Sequence, residues 1–505
     1  MNLWVLNKNM ASLQSKAVKG VAALGVGKGI GRLISFANTI ILARILTPDD
    51  YGLMAMAMVV CGFISFFNEI GLGSAIIQKD KITEKQLNGA FSIALVTSIV
   101  LYVITYFSSS LASDFYNNPQ IGEMLQWIAV SFVFGGVGTV SSALITKNMQ
   151  FKALAGIEFI SILLQAVSTL IFALLGHKAW SLVYGYVISQ LIRLIFVVYV
   201  ARWLPTKLGA FKEAFLLIKF GLTVTYSRLT WYCYSNAATF IIGKVSGEKQ
   251  LGLFSMASTL AALPTAHVTS LVGQVTSSAF SKLQANLVEL NKLLNGFSTG
   301  LAMINFPLLA GMAITATELI PILLGPQWLA IVFPMQIMCI TGFIRTLSPL
   351  LTQALTFSGK ANITAQYTTL CAFVIPSAVL VGVLWQGIDG VAILSLCAYG
   401  LLTAILLLLC KKHLKMNIKT YLLQLATPLM ASLVMICSVY VCKTVLIGYL
   451  NTLALLIVEV TVGLLTYLFW LIYVQTSGLY QLKKVLQDMG ISQHKLSRWP
   501  FNRIG

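Results

Sequence analysis

Residues 27–52 read GKGIGRLISFANTIILARILTPDDYG, a long apolar run that carries Lys28 and Arg32 well inside it. The two cations are four residues apart, so on a helix they share one face. Each would cost about 2.5–3.5 kcal/mol if it faced lipid at the centre of a membrane helix. Lys28 lies about 16 Å into the predicted helix 17–45, which is deep for snorkelling to the interface. The stretch therefore predicts a membrane helix whose cations face a cavity, unless Arg32 pairs with a nearby carboxylate.

The whole chain has the composition of a membrane protein. Of its 505 residues, 58% are hydrophobic and only 10% are charged, whereas roughly a quarter are charged in soluble domains. Apolar stretches of about twenty residues recur from end to end, each long enough to cross a bilayer. The predicted fold class is therefore an all-α polytopic membrane protein.

About fourteen apolar segments are predicted as transmembrane helices. They are residues 17–45, 51–77, 87–111, 120–143, 152–175, 179–201, 215–243, 250–276, 293–317, 328–355, 361–385, 388–410, 420–445 and 450–475. An even number of spans puts both termini on the same side of the membrane.

The distribution of lysine and arginine supports this topology. With the N-terminus inside and alternating loops, the outer loops contain only Arg44, Lys178, Lys244, Lys249 and Lys443. Five more cations fall within spans, and the remaining 24 of the 34 lie on the cytoplasmic side. This bias follows the positive-inside rule and predicts cytoplasmic termini. It also accounts for the net charge of +19 without nucleic acid as a partner.

Two copies of one motif indicate an internal duplication. Tyr51-Gly-Leu-Met-Ala-Met-Ala57 matches Leu251-Gly-Leu-Phe-Ser-Met-Ala257, 200 residues later. Helix 7 lies six spans after helix 1, an even number, so the halves are predicted to be parallel repeats related by an axis along the membrane normal. Such halves are typical of transporters in which two lobes rock about a central site.

The predicted organisation is two parallel six-helix lobes around a central cavity, followed by a C-terminal helix pair. The predicted parts are an N-terminal lobe (1–201), a basic cytoplasmic linker (202–219), a C-terminal lobe (220–410), the extra helix pair (411–475) and a basic cytoplasmic tail (476–505).

Charged and polar residues within the spans are the candidate substrate contacts. Arg32 and Arg228 lie 196 residues apart at matching positions of helices 1 and 7, so symmetry would bring them to opposite walls of one cavity. The candidate cationic set is Lys28, Arg32, Arg228 and Arg345, although Arg345 could instead reach an interface. The candidate sugar contacts are Asn38, Tyr226, Tyr232, Tyr234 and Asn236.

The acidic residues within the spans leave several roles open. Glu69 could carry a proton or cation, or could pair with Arg32. Glu459 lies outside the repeats, so a structural or oligomeric role is favoured. Cysteines and histidines are scattered, so no metal site is predicted. The sequence has no GxxxxGK[ST] loop, catalytic triad or carboxylate pair, so neither a cofactor nor an enzymatic activity is expected.

The runs Ile45-Leu-Thr-Pro-Asp-Asp-Tyr-Gly-Leu-Met-Ala55 and Phe67-Asn-Glu-Ile-Gly-Leu-Gly-Ser-Ala-Ile-Ile-Gln78 resemble the bacterial polysaccharide transporter family, the Wzx-type flippases of the multidrug/oligosaccharidyl-lipid/polysaccharide superfamily. The resemblance implies a multi-pass protein of the bacterial cytoplasmic (inner) membrane. Its cargo would be an undecaprenyl-pyrophosphate-linked oligosaccharide repeat unit, flipped by alternating access for O-antigen, colanic acid, exopolysaccharide or capsule export. The resemblance also implies contact with membrane lipids. A polysaccharide polymerase and export machinery are further partners that it allows.

Two other transporters remain open at this point. A lipid-linked peptidoglycan precursor flippase also has fourteen spans and a basic cavity. A multidrug cation antiporter belongs to the same superfamily, but a cation-lined cavity disfavours cationic cargo because like charges repel.

Overall fold

The computed structural model describes residues 29–68, 72–79, 82–209, 232–284 and 286–473. Within these ranges nearly the whole chain is helical and no strand occurs, apart from an isolated bridge between Ile447 and Leu450. Eight of the described helical segments are long and apolar enough to cross a bilayer. The expected all-helical, multi-pass class is confirmed.

The chain divides into two compact units between Gly252 and Leu253. The described helices of the first unit are α1 (29–45), α2 (Pro48–Asn68), α3 (Leu72–Gln78), α4 (Glu84–Tyr116), α5 (Pro119–Lys147), α6 (Phe151–Leu174), α7 (Ala179–Ala201), α8 (232–235) and the start of α9 (Ala237–Lys282). The predicted lobe boundaries remain predictions.

The second unit contains the rest of α9 and the C-terminal helices. They are α10 (Leu287–Ile314), α11 (Ala316–Leu323), a 3₁₀ turn (Pro326–Ile331), α12 (Val332–Leu355), a π-helical turn (Thr356–Lys360), α13 (Ala361–Leu414), α14 (Ile418–Leu446) and α15 (Thr452–Tyr473).

Several helix starts are encoded by their capping residues. Thr83 and Gln86 form a capping box before α4, in which each side chain accepts a hydrogen bond from the other residue's backbone N–H. Asn118 accepts a hydrogen bond from the Gln120 N–H at 3.0 Å, with a proline in the first turn of α5. Local sequence therefore sets where these helices begin.

Glycines with positive φ break the longest helices. They are Gly247 (φ 76°) within α9, Gly359 (φ 81°) between α12 and α13, and Gly387 (φ 60°) within α13. The last two separate the predicted spans 328–355, 361–385 and 388–410. The predicted span 51–77 differs, because its described residues form two helices, α2 and α3. The total of fourteen spans and the lobe arrangement remain predictions.

Contacts between helix ends agree with the predicted alternation of loops. In the first unit, Lys147 Nζ donates to the Ile76 carbonyl at 3.1 Å, and both ends are predicted to be cytoplasmic. In the second unit, Lys443 Nζ lies 2.7 Å from Glu318 Oε1, and both loops are predicted to be on the outer side. Each contact joins two helix ends that the predicted topology puts on the same side of the membrane. Which side is cytoplasmic remains a prediction.

The first part of the predicted linker is bound to α4. The Thr206 N–H donates to Asn88 Oδ1 at 3.2 Å, and the Gly209 N–H donates to Ser92 Oγ at 2.9 Å. These bonds hold the chain that leaves α7 against the start of α4. The rest of the linker 202–219 and the tail 476–505 lie outside the described residues.

The two glycines of the repeated motif, Gly52 and Gly252, lie at a close contact between α2 and α9 within the first unit. A Cβ atom on Gly52 would lie 1.8 Å from the carbonyl oxygen of Glu248, and one on Gly252 would lie 1.8 Å from that of Pro48. Pro48 and Glu248 are 200 residues apart, as are the two glycines, so the contact is reciprocal. Small residues allow this close approach of helix backbones in membranes.

We expect Gly52→Ala and Gly252→Ala each to destabilise the protein. The added methyl group would overlap a backbone carbonyl, and overpacking of this kind typically costs about 1–3 kcal/mol. The measurement is the thermal unfolding midpoint of the purified protein in detergent. The matched control is Gly156→Ala in α6, where a Cβ atom meets nothing within 4 Å. Equal midpoints for all three variants would contradict the packing described here.

Candidate substrate cavities

The larger candidate cavity lies in the second unit, between α9 and α12. Its volume is about 830 Å³, within the range of about 300–1,000 Å³ that is usual for ligand sites. Hydroxyl, amide and guanidinium groups occur along its walls. The polar lining includes Thr265, Thr269, Ser277, Arg345, Thr346 and Gln353.

The lining residues follow the helical period on both walls. On α9, lining residues recur every three or four positions, as in Thr265, Thr269 and Gly273. On α12, Gly342, Arg345 and Pro349 have the same spacing, with further lining residues beyond them. This pattern was available in the sequence, but only the packed structure shows that the two faces meet.

Arg345 supplies a positive charge on the wall of this cavity. Its side chain is exposed and lines the cavity wall, and its guanidinium carbon lies 5.0 Å from the ring centroid of Tyr399 on α13. A cation over an aromatic face is stabilised by the ring quadrupole. Arg345 therefore lines a cavity within the second unit, and its contact with substrate remains a prediction. Tyr399 was not predicted, because its pairing requires the packing of α12 against α13.

Two hydrogen bonds brace the polar wall. Thr276, which is fully buried, donates through Oγ1 to Gln353 Oε1 at 2.8 Å and so joins α9 to α12. Asn305 of α10 donates to Thr269 Oγ1 at 3.4 Å. Buried polar groups held in this way orient the groups beside them.

A smaller cavity of about 180 Å³ lies in the first unit, between α1, α2, α6 and α7. Asn38, a predicted sugar contact, lines it together with Ser35, Gln165 and Thr169. Arg32 lies about two turns earlier on α1, is exposed, and is not part of this lining. The structure therefore places Asn38, but not Arg32, at this cavity.

The predicted contacts near helix 7 make hydrogen bonds within the protein. Tyr232 donates through its hydroxyl to the Val59 carbonyl at 2.8 Å. Asn236 donates to the Tyr232 carbonyl at 3.1 Å. Tyr234 is half-buried. Sugar contact by these three side chains remains a prediction, and Lys28, Glu69, Tyr226 and Arg228 lie outside the described residues.

Potential metal ligands do not converge in the part of the chain that the structure describes. No group of three or more His, Cys, Asp or Glu residues is placed to hold a metal ion there. The cysteines are all free thiols. The polar side chains that line the described cavities carry hydroxyl and amide groups and, in the larger cavity, the guanidinium of Arg345.

We expect the Thr276–Gln353 hydrogen bond to be measurable by a double-mutant cycle with Thr276→Val and Gln353→Met. Either single substitution removes the bond, at about 0.5–1.5 kcal/mol, and the double variant cannot lose it a second time. In Gln353→Met the Thr276 hydroxyl still donates to the Val272 carbonyl at 2.9 Å. The unfolding midpoints in detergent should therefore be less than additive. Additive effects would show that the two side chains do not interact.

The family comparison agrees with this architecture. Residues 41–333 match the family described as "Polysaccharide biosynthesis protein". The lipopolysaccharide biosynthesis protein WzxC of Escherichia coli (strain K12) is 23% identical over 443 residues, covering 87% of this chain and 90% of that protein. The teichuronic acid biosynthesis protein TuaB of Bacillus subtilis (strain 168) is 25% identical over 365 residues, covering 70% of this chain and 74% of that protein.

A solved structure supports the fold independently. The lipid II flippase MurJ, in an inward closed conformation, matches with a TM-score of 0.73 at 14% identity, covering 88% of this chain and 97% of that chain. At this identity the likeness shows a shared fold and not a shared cargo. Since the family match extends over more than half of the sequence, the chain belongs to the polysaccharide biosynthesis protein family.

Proposed function

We propose that this protein flips undecaprenyl-pyrophosphate-linked oligosaccharide repeat units across the bacterial cytoplasmic membrane by alternating access. The flipped unit would serve the export of an exopolysaccharide, O-antigen or capsule. The observation that carries the proposal is the cavity of about 830 Å³ between α9 and α12, with Arg345 on a wall otherwise rich in hydroxyl groups.

The chemistry of this lining suits such a headgroup. A guanidinium presents planar, charged N–H donors that match phosphate oxygens. Threonine and serine hydroxyls and the Gln353 amide both donate and accept hydrogen bonds, as sugar hydroxyls require. The lipid chain needs no polar site and would remain in the bilayer.

The names of the relatives support a role in polysaccharide biosynthesis. WzxC is named for lipopolysaccharide biosynthesis and TuaB for teichuronic acid biosynthesis. These are different polymers, so the common feature is the handling of a polysaccharide precursor and not one sugar. We therefore propose the lipid-linked pyrophosphate as the constant part of the cargo.

The membrane potential can supply the driving force. Moving one charge across the membrane is worth about 2.3 kcal/mol per 100 mV, and a potential that is negative inside drives an anionic headgroup outward. Proton or sodium antiport through Glu69 is the alternative.

The direct test is to replace Arg345 by alanine and by lysine at matched membrane expression. Loss of a charged hydrogen bond of about 1.5–3 kcal/mol should reduce transport about ten- to a hundred-fold in Arg345→Ala. Lysine should restore part of it, since the charge is kept. The readout is lipid-linked oligosaccharide on the cytoplasmic leaflet of inner-membrane vesicles.

Arg193→Ala is the matched control, because Arg193 is an exposed arginine of α7 that lines neither described cavity. Normal export by Arg345→Ala would remove this cavity from the proposal. Arg32→Ala and Arg228→Ala, tested in the same way, examine the predicted cationic pair. Accumulation of lipid-linked peptidoglycan precursor in a deletion strain would favour the peptidoglycan flippase instead. Increased drug sensitivity of that strain, with no accumulated lipid-linked precursor, would favour the antiporter.

A further inference from the structure

Glu459 of α15 is a carboxyl group buried inside the second unit. Its residue is only 1% exposed, and neither carboxyl oxygen has a hydrogen-bond partner among the described residues. Such burial is incompatible with the oligomeric contact considered from sequence, because the side chain does not reach the surface of the chain. An ionised carboxylate in this position would cost several kcal/mol unless a cation compensated it.

A cation near the end of the neighbouring helix α14 is already paired with another carboxylate. Lys443, in the last turn of α14, lies 2.7 Å from Glu318 Oε1 and donates to Glu318 Oε2 at 2.9 Å and to Thr317 Oγ1 at 2.6 Å. Glu318 is in the first turn of α11. Both helices pack against α15. Only five residues join α14 to α15, so Lys443, one turn before that connection, and Glu459, two turns after it, lie toward the same end of the helix pair.

The third helix against α15 contributes no nearby charge. The charged residues of α10 are Glu289 and Lys292, in its first two turns. At about 1.5 Å per residue, they lie about 33–38 Å from the α10 end that leads into α11 and Glu318. The local set is therefore two carboxyl groups and one ammonium group.

This charge count favours a proton on Glu459. If Glu459 were ionised, the three groups would carry a net negative charge in a buried, low-dielectric place. With Glu459 neutral, the ammonium of Lys443 and the carboxylate of Glu318 balance each other. A metal cation would need several more oxygen ligands, and both carboxylate oxygens of Glu318 already contact the ammonium of Lys443.

We propose that Glu459, Lys443 and Glu318 form a proton-binding site whose proton is released when the ion pair between α11 and α14 opens. On opening, the ammonium of Lys443 turns from Glu318 to Glu459. The O–H bond of the Glu459 carboxyl breaks, the proton passes to water, and the remaining carboxylate pairs with Lys443. Glu318 then meets water. The site lies in the C-terminal helices. The proposal does not depend on which cargo the cavity binds.

The test is infrared difference spectroscopy of the full-length protein in lipid as a function of pH. The protonated carboxyl of Glu459 should give a C=O stretching band that Glu459→Gln lacks. In Glu318→Gln the freed Lys443 faces Glu459 and favours its carboxylate, so the band should disappear at a pH about one unit lower, a tenfold change in proton affinity. Glu289→Gln, on an exposed carboxyl of α10, is the control and should change neither result.

Four results would overturn the proposal. The band could persist in Glu459→Gln, or the wild type could show no such band at any pH at which it is folded. The band could keep its pH dependence in Glu318→Gln, which would show that the ion pair does not control the proton. Removal of the band by sodium chloride, but not by choline chloride at the same pH, would identify a sodium site instead. If Glu459→Gln does not fold, the pH dependence of the band in Glu318→Gln still decides between the outcomes.

Discussion

The hydrocarbon core of a bilayer offers no hydrogen-bond partner to a peptide group, and the structure of this protein depends on that constraint. Its apolar segments satisfy their own backbone as helices, and capping groups such as those of Thr83 and Asn118 satisfy exposed N–H groups at helix starts. Where the chain must turn inside a long helical stretch, a glycine such as Gly247 or Gly387 adopts the required positive φ.

The same constraint acts on charged side chains, and the second unit meets it in three different ways. Arg345 faces a cavity and the ring of Tyr399. Lys443 is neutralised by Glu318. The carboxyl group of Glu459 has no hydrogen-bond partner among the described residues, and the proposed proton would remove its charge. Polar groups this costly in a membrane are expected where function requires them.

The proposed recognition of cargo divides between two kinds of group. One guanidinium suits the phosphate that every lipid-linked repeat unit shares, while hydroxyl and amide groups suit sugars that differ from one polymer to another. This division fits a family in which WzxC and TuaB are named for different polymers at 23% and 25% identity to this chain.

The sequence by itself determined the helical membrane class, the repeated motif and the family, because apolar length, charge bias and short motifs are local properties of the chain. Only the tertiary structure decided that Gly52 meets Glu248, that Arg345 lines a cavity beside Tyr399, and that Glu459 is internal. The reason is that a helix face toward lipid and a face toward another helix are equally apolar. Hydropathy therefore cannot tell them apart, and the choice rests on the fit between side chains that are far apart in sequence.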